Sequence, residues 1–193
     1  MKGFIYIAGS FVEISPPSPT STAWRDNDPH FWSNPPTWGI CRPDLRKKVN
    51  PGDYVFFVLP KRCRLPQMIF GYMKIDRIVS HLVAHNDATL IGKRMSNRNP
   101  NGNIIVTATG AYNRYDGGVH QKGFPKIRLL YAVGDTANSK FLDETKVRNL
   151  APQFLAELQR TFNSCGTGPF QIISRYGRQL DAGQIQSLIS FLK

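Results

Sequence analysis

Histidine, aspartate, arginine and tyrosine fall together between positions 112 and 120, in the run YNRYDGGVH. These are the groups that pass a proton, orient the residue passing it and steady a developing negative charge. In such a scheme His120 is the base, Asp116 its orienting acceptor, and Arg114 and Tyr115 the charge-stabilising and stacking groups. Four glycines (Gly110, Gly117, Gly118, Gly123) accompany them within residues 109–126, which suits a loop folded closely around a ligand. No nucleophile motif, paired-carboxylate spacing or GxxxxGKS phosphate loop completes a catalytic set. The residues therefore favour a binding loop, with Tyr112 and Tyr115 against a base, over catalysis by Arg114–His120, and an ordinary surface loop stays open beside both.

A second stretch, FWSNPPTWGICRPDLRKKVNPGDYVFFVL at residues 31–59, combines aromatics, positive charge and rigid turns. Trp32 and Trp38 flank an Asn-Pro-Pro turn, and a stiff loop carrying aromatics loses less entropy when a ligand orders it. Trp38, with Trp32 and Tyr115, is expected to wall a planar ring, and Asn34 and Asp53 to address its polar edge. Each of these aromatics could equally pin the loop to the core. Between Arg42 and Arg64 lie seven cations, including Arg42, Arg46, Lys61, Arg62 and Arg64, against two acids, Asp44 and Asp53. The whole chain carries a formal charge of +12. Positive potential beside aromatics is what phosphate binding with base stacking requires, although basic charge by itself can serve solubility alone.

The segment NPPTWGICRPDLRKKVNPGDYVFFV, through Asn34, Pro35, Gly39, Arg42, Pro43, Arg46, Gly52 and Asp53, resembles the nucleotide-modification-associated domains. More distantly it is similar to the PUA-like superfamily that includes EVE, YTH and ASCH domains. The close match spans about a sixth of the chain. It departs in reading Cys41-Arg42-Pro43 where Cys-Lys-Pro is frequent, and YVFFVL where the strand is often richer in glycine. The resemblance implies a small β-barrel with helices at its rim and recognition of modified bases or nucleotides in DNA or RNA, DNA being favoured here. On this reading the chain is a binding module without a cofactor; the rival is an enzyme of nucleotide or nucleic-acid modification or hydrolysis working through the Arg114–His120 loop. A third possibility is a small adaptor whose C-terminal helix docks a partner.

The elements that must hold these residues follow from pattern and punctuation. Pro51-Gly52-Asp53 is a turn, and the unbroken apolar run at 54–59 after it reads as a strand buried on both faces. Residues 67–79 return as its hairpin partner, Gly71 marking a bulge or close approach; the tip between them carries Lys61, Arg62 and Arg64. Strands are also expected at 2–12, 104–108, 127–133 and around Ile172-Ile173. Helices are expected at 42–48, 150–162 and after Asp181, where Gln184 completes a capping-box pattern, and a short helix or turn at 81–87. The expectation is an α+β chain: a twisted, mostly antiparallel PUA-like barrel of five to seven strands with peripheral and C-terminal helices. It is read as a single domain over 1–193, with a Pro/Trp-rich loop at 13–38 and a helical part from about 146.

Composition adds bounds. Hydrophobic residues make up 41% of the chain, enough for a core in 193 residues and against wholesale disorder. No apolar run approaches the roughly 18 residues of a spanning helix, and the first residues lack a secretory pattern. Three scattered cysteines give neither a disulfide framework nor zinc-ligand spacing, and His81 and His85, four apart, lack a third ligand and read as packing or surface groups. Nothing calls for a metal or a membrane, and a reducing cytoplasm is the expected home.

Overall fold

The computed structural model describes residues 1–8, 28–31, 33–61 and 65–193. In chain order its elements are β1 (Gly3–Ile7), β2 (Thr37–Trp38), α1 (Pro43–Arg46), β3 (Tyr54–Val58), β4 (Ile69–Val79), α2 (His81–Asn86), α3 (Phe124–Ile127), β5 (Tyr131–Gly134), β6 (Lys140–Phe141), α4 (Glu144–Phe162), α5 (Pro169–Ile173), β7 (Arg178–Leu180) and α6 (Ala182–Phe191). Short 3₁₀ segments lie at Ala88–Lys93, Arg114–Asp116 and Gln121–Gly123. The chain divides into two compact units: one of Met1–Pro16, Gly52–Lys74 and Lys140–Lys193, the other of Pro17–Pro51 and Ile75–Ser139.

In the first unit β3 is buried at all five positions, as its apolar run demands. It pairs parallel with β1 and antiparallel with β4, while β7 joins the other side of β1 and β6 joins β4. The β3–β4 register shifts between Phe57 and Val58, which face Gly71 and Ile69. Phe70 is thereby the extra residue of a bulge beside the mid-strand glycine. Aromatic contacts join these strands, Tyr6 to Phe57 at 5.4 Å and Phe57 to Phe70 at 6.2 Å between centroids. Helix α6 starts on the expected capping box, Asp181 accepting from the Gln184 amide and Gln184 returning a bond to the Asp181 amide. Helix α4 begins six residues before the expected start, because Asp143 caps it by accepting from the Lys146 amide; Pro152 sits inside it.

The second unit holds β2, α1, the end of β4, α2, α3 and β5. β5 pairs antiparallel with both β2 and β4. Buried Leu90, Ile104, Val106, Tyr131 and Val133 form one apolar cluster, and Ile40, Met95, Ile105 and Ile127 another.

Among the described residues the strand path β2-β5-β4-β3-β1-β7, with β6 on β4, is an open, mostly antiparallel seven-stranded sheet. The chain is thus α+β, but the expected closed barrel is corrected. Its terminal strands are two and three residues long, too short to supply the tilted, staggered pairing that closure needs. Two local expectations also change. Residues 127–133 divide into the end of α3 and the later strand β5, Pro125 starting a helical turn whose Phe124 and Ile127 carbonyls accept from the Arg128 and Leu130 amides. Ile172 and Ile173 sit in helix α5, not a strand, again behind a helix-initiating proline, Pro169. Among the described residues no helix is long and apolar enough to cross a membrane.

Candidate functional site

Everything in the second unit's site is arranged around a buried carboxylate. Asp28 accepts from three successive backbone amides, those of Gly39 at 2.6 Å, Ile40 at 2.9 Å and Cys41 at 2.5 Å, and from the Asn103 amide at 3.1 Å. Burial pushes its pKa up; the Arg46 charge and the three amides pull the other way without cancelling that rise. These bonds fix the chain between β2 and α1, and the residues around them continue the network. Tyr131 donates its hydroxyl to Asn103 Oδ1 at 2.6 Å, and Thr37 shares the same amide. The Gly39 carbonyl accepts from His81 Nε2 at 2.8 Å. A Cβ on Gly39 would lie 2.5 Å from the Tyr131 ring, so glycine is needed there for close approach.

Arg46 is fully buried on the inner face of α1. Its guanidinium lies 5.6 Å from the Trp38 ring centre, and it donates to the Leu130 carbonyl at 3.0 Å and to the Cys41 carbonyl. It therefore ties α1 to the chain at 130. On the outer side of that tie is a groove of about 550 Å³ lined by Pro43, Asp44, Lys47, Lys126, Leu129 and Leu130, within the size range of ligand pockets. Leu129 and Leu130 give it an apolar floor, and the exposed Lys47 and Lys126 bring two cations. Asp44 is held by a two-point pair with Arg42, at 2.9 and 2.8 Å, and the hydrogen bond from Arg42 lowers its pKa despite partial burial.

The loop at 112–120 is a separate cluster. Buried Asp116 accepts from His120 Nδ1 and the His120 amide, at 2.8 and 2.9 Å, and from the Tyr112 hydroxyl. Burial raises the Asp116 carboxyl, but these bonds outweigh it and leave the pKa lowered. Burial and the same carboxylate push Tyr112 up to about 12. Arg114 lies over the Tyr115 ring at 5.2 Å.

The residues expected to bind a base or phosphate are thus dispersed. Trp38 is 0% exposed and offers no face to a base; this corrects its expected role, because the β2–β5 pairing and Arg46 enclose it. Arg46, equally buried, cannot meet a phosphate and acts as an internal tie. Asp53 is buried and accepts from the Lys2 amide at 3.0 Å beside the β1–β3 pair, so it addresses backbone instead of a base edge. Asn34 and Lys61 are exposed, and Arg42 pairs with Asp44 of the groove lining. Tyr112 is turned onto Asp116 and packs edge-on to Phe124, whereas Tyr115 stays exposed. Trp32, Arg62 and Arg64 lie outside the described residues.

Sequence reasoning did not single out Asp28, Lys93 or Lys126. Lys93 is buried, with Nζ 2.9 Å from His30 Nδ1 and 2.8 Å from the Ser33 carbonyl, and desolvation lowers its pKa to about 7. Nothing in the local sequence marks a lysine for burial, while Lys126, after Phe124-Pro125, could have been recognised as a cation on a proline-started turn. His81 is a buried packing group, and among the described residues no cluster of three or more histidine, cysteine or acidic side chains could hold a metal. Comparison with protein-family models, curated proteins and solved structures finds no match.

Proposed function

We propose that the chain is a binding module for a flat anionic ligand, a modified base or nucleotide, received in the groove beside α1 and not against Trp38. The observation that carries this reading is one apolar floor, Leu129 and Leu130, flanked by Lys47 and Lys126. A planar ring gains from apolar contact, and two ammonium groups suit a phosphate. The resemblance of residues 34–53 to nucleotide-modification-associated domains, and through them to PUA-like modules, supports the same ligand class. The rigid hub of Asp28 and Arg46 holds the groove's walls in place beforehand, which lowers the entropy cost of binding.

Replacing Lys47 and Lys126 together by glutamate is expected to weaken binding of nucleoside monophosphates, base-modified ones included, by about tenfold or more, equivalent to roughly 1.4 kcal/mol. Titration calorimetry in low salt measures it. Unchanged affinity in the double variant, or no binding by the parent chain, removes the proposal.

A second reading rests on the 2.8 Å contact between Asp116 and His120, a carboxylate orienting an imidazole as a general base requires. If it holds, the parent chain turns over a nucleotide or oligonucleotide and His120→Ala lowers the rate by about a hundredfold or more. Product analysis by chromatography decides it: no product from the parent leaves the pair as a loop clasp.

A further inference from the structure

We infer that Asp44 selects the base received in the groove beside α1, admitting one with an exocyclic amino group and rejecting one with a carbonyl in its place. The inference rests on the groove being the nucleotide site, and it names what that site prefers. Asp44 is the acid among the lining residues. The hydrogen bond from Arg42 lowers its pKa against the opposing effect of partial burial, and the Arg42 charge and the amides of Asp44 and Leu45 add to the lowering. An ionised carboxylate only accepts hydrogen bonds, at about four lone-pair positions. Arg42 takes one on each oxygen, Nε on Oδ1 at 2.9 Å and Nη2 on Oδ2 at 2.8 Å. The Asp44 side chain is nevertheless 53% exposed, against 21% for Arg42. The fork therefore fixes the carboxylate in place without closing it to a further donor.

The charges of the lining divide the ligand between them. Asp44 and Lys47, three residues apart, line the groove from α1 and its end, and Lys126 lines it from α3. The two ammonium groups attract the phosphate and the carboxylate repels it, so it is the base that is left to meet Asp44. Cytosine and adenine carry an amino group whose N–H can donate to the carboxylate. Uracil and hypoxanthine put an oxygen in that place, with their ring N–H directly beside it, so a carboxylate approaching that donor meets the oxygen as well. Within each of these pairs the ring keeps its size, and the leucine floor cannot tell the members apart. Discrimination then falls to the one lining group that only accepts, and a fixed acceptor rejects an acceptor more sharply than a mobile one does.

Titration calorimetry at neutral pH in low salt compares CMP with UMP, and AMP with IMP. The parent chain is expected to bind the amino member of each pair about tenfold more tightly. Asp44→Asn should bring the two members within about twofold of each other, because a carboxamide offers a donor to the carbonyl and an acceptor to the amine. The ratio is read and not either affinity, since removing a negative charge strengthens binding of any anion. Ligands with altered amines repeat the test on the unaltered protein: N4-methyl-CMP, with one N–H left, should bind like CMP, and N4,N4-dimethyl-CMP, with none, like UMP. Equal affinities within both pairs, or a preference that Asp44→Asn keeps, overturns the role of Asp44. If monophosphates bind without preference and Lys47→Glu/Lys126→Glu weakens them all, the groove stands and only the selection by Asp44 falls. If the parent binds no monophosphate, the groove itself is wrong and the selection falls with it.

Discussion

Acidification from pH 6.5 to 3 is expected to unfold the protein, and alkalinisation above pH 7 to stabilise it. Burial holds His81 and His30 at pKa values of about 3, Lys93 lowering His30 further. The cause in His81 is visible in its bonds. Nε2 donates to the Gly39 carbonyl, and Nδ1 accepts from the Ile105 amide at 3.4 Å. A second ring proton would meet that amide donor head-on, so the neutral ring is the one that fits. Between pH 6.5 and 3 the unfolded chain takes up protons that the folded chain refuses, and stability is lost as pH falls through that window. Each pKa unit corresponds to about 1.4 kcal/mol, so the two histidines together remove several kcal/mol, comparable with the roughly 5–15 kcal/mol of a typical fold. The raised Asp28 opposes this, since its folded carboxyl accepts a proton more readily than an unfolded one.

The alkaline limb belongs to Lys93, whose pKa of about 7 in the fold compares with 10.5 when unfolded. From pH 7 to 10.5 the unfolded chain binds the extra proton, so stability rises with pH. Above pH 10 the trend reverses, because buried Tyr131 and half-buried Tyr112 keep protons that unfolded tyrosines release. The profile should therefore peak at about pH 9–10. Urea unfolding from pH 4 to 11 measures it, with Lys93→Met expected to flatten the rise above pH 7. A maximum near pH 6, or a rise that survives Lys93→Met, would refute this assignment.

The legibility of the sequence divides along the same line as local and distant interactions. The cap at Asp181, the turn at Gly52, the fully buried β3 and the bulge beside Gly71 were all readable, because each depends on neighbours within a few residues. The open sheet was not, since closure depends on which short segments meet, and β2 and β7 carry almost no pattern in two or three residues. At the candidate site, the segment expected to hold phosphates through Arg42 and Arg46 lines the groove through other residues, Pro43, Asp44 and Lys47. Its partners Lys126, Leu129 and Leu130 lie some eighty positions later, and residues 127–133 read as strand. Trp38 and Arg46 illustrate the deeper difficulty. An aromatic beside a cation is the same sequence signal whether the pair faces a ligand or seals a core; here Asp28, eighteen residues before Arg46, decides it by drawing the charge inward.

That inward pair carries the other large effect: Arg46→Met is expected to destabilise the second unit by about 3–5 kcal/mol, as breaking a buried charge arrangement from one side does. The methionine would approximate the packing of the arginine stem, but the Leu130 and Cys41 carbonyls lose their donor and Asp28 loses its nearby positive charge. Asp28→Asn should be of similar size for a different reason. Both carboxylate oxygens face amide donors, Oδ1 the Gly39 amide and Oδ2 those of Ile40 and Cys41. Whichever way asparagine is turned, its NH₂ meets an N–H, leaving donors buried against donors. Because the two residues act on one hub, the double variant should lose less than the sum of the singles, the second change no longer stranding a charge. A urea-denaturation double-mutant cycle measures this. Losses below about 1 kcal/mol that simply add would mean that water reaches Asp28 and that the groove beside α1 is not held by a charged interior.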